Sequence, residues 1–299
     1  MSDAAFTLPS FAKINWLLKI LGKRQDGFHE LCTVFQTVSL CDRLTFRRAV
    51  DLRLECGDAS LPTGGRNLII RAAEILRGRY QIDSGADIYL EKNIPSPGGL
   101  GGGSSNAAVA LIGLNRLWGL DTGIDELAAV GAELGSDVPY FFTGGTAIGT
   151  GRGEIIEPIA EIREENLLIV TPDEAVSTAE AFVRLNAEDL TKRDPNHILQ
   201  ICRFDAGPGN LRHTALENDF EASVFAVHPE IKRVKETLLG LGAEQALMSG
   251  SGASVFAIFD KKETRQTALK ALEIESSWRK FAVAAVSRDT YREQVFGFR

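Results

Sequence analysis

Three features of this 299-residue chain bring together residue types that could do chemistry. The first is Pro97 to Ala108, PGGLGGGSSNAA, where Gly98, Gly99, Gly101, Gly102 and Gly103 surround Leu100 and lead into Ser104, Ser105 and Asn106. Glycine this dense permits positive φ and lets a ligand approach the backbone closely, at an entropic cost an ordinary turn need not carry. The apolar stripe that follows (Ala107, Ala110, Leu111, Leu114, Leu117, Trp118) has helical spacing, and Ser104 or Ser105 can cap that helix. Free N–H groups at a helix N-terminus attract anions, so the stretch predicts phosphate binding. It is not a Walker loop, since Ser104 stands where lysine is required, and no glycine trio fits G-x-G-x-x-G. The second feature is Lys13, a cation among apolar residues in FAKINWLLKILG. Taken alone it could simply snorkel from an edge strand. The third is Asp137, followed by Val138 and Pro139 in a sharp helix-to-strand turn, where a polar turn residue is the ordinary reading.

Composition narrows the classes. Hydrophobic content of 44% with 24% charged residues suits a soluble globular protein large enough for two domains. The net charge of −7 disfavours nucleic acid or an anionic membrane as the main partner. No apolar stretch approaches spanning length and the N-terminus lacks a secretory pattern, so the cytoplasm is expected. Cys32, Cys41, Cys56 and Cys202 form no CxxC pair and read as buried thiols; His29, His197, His213 and His228 form no HExxH. A metal site built by the protein is therefore not expected.

The elements that must position these residues follow in order. Residues 11–22 read as a strand, then Asp26-Gly27 as a turn carrying Phe28 and His29. Strands are predicted over 33–40 and 44–54 with Asp42 between them, a helix from Asn67, and a strand over 87–92 entering the glycine loop. A helix over 125–134 ends at Gly135; residues 155–165, acidic and carrying Pro158, read as an interdomain linker. Beyond it come a strand at 166–171, a helix at 176–185 capped by Ser177 or Thr178, and an irregular stretch over 192–208. Helices over 216–227 and 230–241, the turn MSGSGAS at 248–254, a strand at 255–259, a helix at 263–274 and a strand at 281–286 complete an α+β pattern.

AKINW, PGGLGGGSSNAA and MSGSGASVF, in that order, resemble the three motifs of the GHMP small-molecule kinases. The resemblance covers nearly the whole chain and extends to DGFHEL, LGSDVPYFFTGGTAIGTGRGE and PDEAVSTAEAF, which match members acting on 4-diphosphocytidyl-2-C-methyl-D-erythritol. It implies a two-domain α+β fold: an N-terminal ribosomal-S5-like, ATP-binding domain (1–160) and a C-terminal α+β domain (161–299), with the site in the cleft. It implies ATP-dependent phosphorylation of that substrate's 2-hydroxyl, a step of non-mevalonate isoprenoid precursor synthesis. Lys13 and Asp137 match the catalytic positions. Pro97, Gly98, Gly99, Leu100, Gly101, Gly102, Gly103, Ser104 and Ser105 match the ATP phosphate loop, and Asn67 and Leu68 the adenine contacts. Asn15, Phe28, His29, Phe35, Thr178 and Phe182 match the substrate contacts. Mg²⁺ would arrive with the nucleotide, held by water and by Ser104 or Ser105. Partners are small molecules, and the chain acts as a monomer or homodimer. Two departures stand out: Phe28 where the family usually has tyrosine, and Phe11 where it has proline. Competing readings are another GHMP kinase (acting on mevalonate, phosphomevalonate or homoserine) and an inactive nucleotide or sugar sensor. DGFHEL and PDEAVSTAEAF argue against the first, and retention of both Lys13 and Asp137 against the second.

Overall fold

The computed structural model describes residues 5–185 and 217–297. Two long antiparallel strands form its spine, β1 (Phe6–Lys23) and β2 (His29–Ala49). On its other side β2 pairs with β5 (Thr146–Gly151) through residues 31–36 and with β4 (Gly85–Glu91) through residues 43–49. With β3 (Leu52–Cys56) parallel to β4, and β6 (Ile155–Pro158) antiparallel to β5, they make a six-stranded sheet. Helices α1 (Leu68–Tyr80), α2 (Gly102–Trp118) and α3 (Ile124–Leu134) bury their apolar faces against this sheet in one core.

A second, four-stranded sheet runs β10-β7-β9-β8, with β7 Leu167–Thr171, β8 Gln245–Met248, β9 Val255–Ile258 and β10 Arg279–Val283. Around it lie α4 (Thr178–Arg184), α5 (Glu221–Val227), α6 (Pro229–Gly240) and α7 (Lys262–Ala271). A third apolar cluster joins the two sheets: Ile14 and Trp16 of β1 meet Leu167, Ile169, Phe256 and Ile258, with the Trp16 and Phe256 rings edge to face at 5.3 Å. The last helix, α8 (Arg288–Phe296), returns to the first core, where Tyr291 is fully buried.

Several expectations shift. Asp42 does not separate two strands; β2 runs through it, because its carboxylate is satisfied inside the protein. The strand expected at 281–286 ends at Val283, and α8 was not anticipated. Neither serine caps α2: its N-cap is Gly101 at φ 67°, and Ser104 and Ser105 lie within the first turn. Ser177 does cap α4, accepting from the N–H of Glu180. Cys41 and Cys56 are free thiols but only half-buried, not buried as expected, whereas Cys32 is held in a disulfide. The stretch 192–208, and with it His197, Cys202 and His213, lies outside the described residues.

Candidate active site

β1 alternates: Ala12, Ile14 and Trp16 enter the core between the sheets, while Lys13 and Asn15 face the opposite way. A register shift between Asn15 and Leu17 turns the strand just beyond them. Lys13 does not snorkel to solvent. Its side chain is 4% exposed, and its ammonium donates to Asn15 Oδ1 at 2.7 Å and lies 3.4 Å from Asp137 Oδ2. Asn15 in turn donates to Thr33 Oγ1, which donates to the Leu17 carbonyl, so the amide cannot flip without breaking a chain of bonds. The Phe35 ring centroid lies 5.6 Å from the ammonium.

Asp137 sits between α3 and the 3-10 turn Pro139–Phe142. That turn is anchored by Tyr140, whose hydroxyl donates to the Gly145 carbonyl and meets Thr37 Oγ1, and by Tyr291 of α8, whose hydroxyl donates to the Phe141 carbonyl. Burial pushes both phenols well above their ordinary range, so they remain neutral anchors.

The glycine loop approaches Lys13 closely. The Lys13 N–H donates to the Leu100 carbonyl, and a Cβ on Gly101 would fall 2.9 Å from Lys13 Cγ. The loop also docks on MSGSGAS: Ser249 Oγ donates to the Gly99 carbonyl and Ser254 N–H to the Gly98 carbonyl. A Cβ on Gly99, where φ is 70°, would stand 2.1 Å from the Ser249 carbonyl oxygen, so only glycine fits.

These elements enclose a cavity of about 380 Å³ lined by Lys13, Asn15, Phe35, Leu68, Pro97 to Ser104, Asp137, Thr178, Phe182, Gly250 and Ser251, among others. It meets a second cavity of about 750 Å³ formed by Lys23, Gly27, Phe28, His29 and the α4 face. Leu31, Ser136, Arg152, Thr178 and Phe182 belong to both. His29 stacks on Phe182 with centroids 4.8 Å apart, and Phe182 meets Phe220 edge to face. Burial, with Lys23 nearby, pushes the His29 imidazole below its ordinary value. Phe28 is 53% exposed, and the Arg152 guanidinium covers its ring at 4.9 Å.

All but two of the expected site residues line one cavity or the other. Asn67 does not: it caps α1, accepting from Ile69 N–H and donating to the Pro62 carbonyl, so both ends of its amide are engaged. Ser105 does not either. It is fully buried and accepts from Ser10, in a network joining Asn106, Asp42 and Lys92. Ser104 is the hydroxyl left facing the cavity. The sequence reading missed Arg152, Ser251 and the Asp42 network. Arg152 was within view, in the glycine-rich TGRGE that follows the Asp137 turn. Among the described residues no three His, Cys, Asp or Glu side chains group as metal ligands, and no helix is long and apolar enough to cross a membrane.

Comparison with known proteins identifies the family and the fold. Residues 67–145 match the GHMP kinases N terminal domain and residues 204–276 the GHMP kinases C terminal model. A 4-diphosphocytidyl-2-C-methyl-D-erythritol kinase of Syntrophotalea carbinolica is 42% identical over 278 residues, covering 92% of this chain and 97% of the relative. The chain is a GHMP kinase, of the 4-diphosphocytidyl-2-C-methyl-D-erythritol kinase family. The kinase of that name from Enterococcus faecalis is 40% identical over 88% of this chain and 93% of its own. Among solved structures, a crystal structure of 4-(cytidine 5'-diphospho)-2C-methyl-D-erythritol kinase superposes on this GHMP kinase with a TM-score of 0.76 at 32% identity, covering 94% of this chain and 99% of that one. A homoserine kinase from Cytophaga hutchinsonii, at 19% identity and TM-score 0.69, shares the fold over 96% of each chain.

Proposed function

We propose that this kinase transfers the γ-phosphoryl group of ATP to the 2-hydroxyl of 4-diphosphocytidyl-2-C-methyl-D-erythritol, giving the 2-phosphate and ADP. The observation that carries the reading is the Lys13–Asp137 pair, 3.4 Å apart between the glycine loop and an aromatic-walled cavity. Phosphoryl transfer requires mainly an aligned hydroxyl, a proton acceptor and neutralisation of charge on the transferred group. Asp137 accepts the proton of the attacking hydroxyl. Lys13, fixed by Asn15, orients that carboxylate and offsets negative charge developing on the phosphoryl oxygens. The loop from Gly98 to Ser104 holds the remaining phosphates at the start of α2, with Leu68 beside the nucleotide.

The larger cavity takes the cytidine end. His29 reads the base edge, Phe28 and Phe182 supply apolar faces, and Thr178, Asn15 and Phe35 line the passage to the reacting hydroxyl. Mg²⁺ fits this reading as an ion brought by the nucleotide, with the Ser104 hydroxyl available to it; when bound it neutralises phosphate charge. The two lobes divide near residue 160, between the last strand of the first sheet and β7.

Product analysis tests the proposal. The purified kinase, ATP and the named substrate should yield a 2-phosphate ester and stoichiometric ADP, whereas homoserine and mevalonate should yield none. Turnover of either control acceptor with the named substrate inert would replace this reading with that of another small-molecule kinase.

A further inference from the structure

Asn218 hydrogen-bonds through its amide to neither the phosphate loop nor the Lys13–Asp137 pair, yet it holds two walls of the site. Its side chain is buried. Nδ2 donates to the Met248 carbonyl at 2.7 Å and to the Gly250 carbonyl at 2.8 Å, fixing the turn whose Ser249 docks on Gly99. Oδ1 accepts from the Phe220 N–H at 3.0 Å, fixing the ring that meets Phe182, which stacks on His29. Asn218 itself is bound to β1: it bridges to Leu18, while Leu18 N–H donates to the Glu217 carbonyl and Asp219 N–H to the Leu18 carbonyl. Every donor and acceptor on the amide that can reach a neighbour is thus assigned to one wall or the other.

From this geometry we infer that Asn218 is a positioning residue with two separable duties: its N–H₂ sets the phosphate-side turn, and its oxygen sets the acceptor-side aromatic stack. The inference rests on the substrate assignment above only for which ligand meets which wall. The Oδ1 contact to the N–H two residues on is an Asx turn, which a serine hydroxyl can reproduce. Serine is too short to reach the Met248 and Gly250 carbonyls as the amide does. Asn218→Ser therefore removes the first duty and keeps the second, whereas Asn218→Ala removes both, and the two variants differ by one oxygen atom.

The test is steady-state kinetics with hydrogen exchange on the full chain. Asn218→Ser should lower kcat about tenfold with the acceptor KM within about twofold of the parent, and Asn218→Ala should lower kcat similarly and raise the acceptor KM about tenfold. Exchange should rise over residues 248–252 in both variants, and at Phe220 and α5 in Asn218→Ala alone. If the smaller side chain leaves no soluble protein, Asn218→Asp, which keeps volume and acceptor, takes its place. Parental kcat in the serine variant, or identical acceptor KM values and exchange patterns in the two variants, overturns the inference. An unmodified kinase inert toward the named acceptor would overturn the substrate assignment instead, and the exchange pattern would still decide the role of Asn218.

Discussion

At the scale of single residues, Lys13 and Asp137 illustrate what a sequence can and cannot disclose. Each has an ordinary reading in isolation, and only contact between residues 124 positions apart makes them a pair. Motif order supplied that contact in advance, through resemblance. The engagement of Asn67 is local, a helix cap whose partners lie two and five residues away, whereas no local pattern could have shown that Ser105 is held by Ser10 across 95 positions. Asp137→Asn keeps the shape of the side chain but removes the proton acceptor. It should lower kcat about 10³-fold while leaving nucleotide affinity within about twofold, as read by single-turnover kinetics and calorimetry. His29 makes a pH prediction. Its folded-state value lies below the ordinary 6.5, so the unfolded chain takes up the proton first as pH falls. The contribution of His29 to stability is therefore complete at neutral pH and declines on acidification. In kinetics the acceptor KM should be flat at neutral pH and climb on acidification as the imidazole gains charge, and His29→Asn should abolish the climb.

At the scale of elements, the phosphate loop is secured from beneath by a buried acid. Asp42 is fully buried in β2 and accepts from Lys92 Nζ, the N–H groups of Asn93 and Ile94, and Asn106 Nδ2. Ser105 and Asn106 are the fourth and fifth residues of α2, so the network joins the loop's exit to β1, β2 and the end of β4. An acid between two apolar runs reads as a break; its partners lie 50 to 64 residues further along, beyond the reach of any local pattern. Burial lowers the Lys92 pKa in spite of the carboxylate beside it, which marks the cost of an ammonium in that position. Asp42→Ala strands that ammonium and should destabilise the protein by about 3–5 kcal/mol. Asp42→Ala combined with Lys92→Met should recover only the part of the loss due to the stranded ammonium, because the N–H groups of Asn93 and Ile94 and the Asn106 amide still lack their acceptor. Urea unfolding of the parent, the two single variants and the double variant measures the coupling.

At the scale of the molecule, two elements depart from the sequence reading: β6, in the stretch expected as a linker, and the more consequential α8. α8 carries few apolar residues among charged ones, so its periodicity is faint, and its value lies in where it lands. Tyr291 fills the space against Gly144, and its hydroxyl meets the Phe141 carbonyl three residues after Val138, in the turn that carries Asp137. The chain's last helix thus braces the carboxylate supplied by its first half. Tyr291→Phe should cost about 1 kcal/mol and lower kcat modestly, whereas Tyr291→Ala opens a cavity and should cost about 3–5 kcal/mol, with both losses measured by thermal unfolding alongside turnover. The alternation along β1 carries a further implication. Ile14 and Trp16 form part of the seam between the sheets, and Lys13 and Asn15, their immediate neighbours, face the reacting groups. A displacement of one sheet against the other would be felt at the ammonium within a single peptide unit, so the apolar seam and the reagent are geared together. Substitutions made in that apolar seam to stiffen the enzyme should therefore register first as altered chemistry and only then as altered stability.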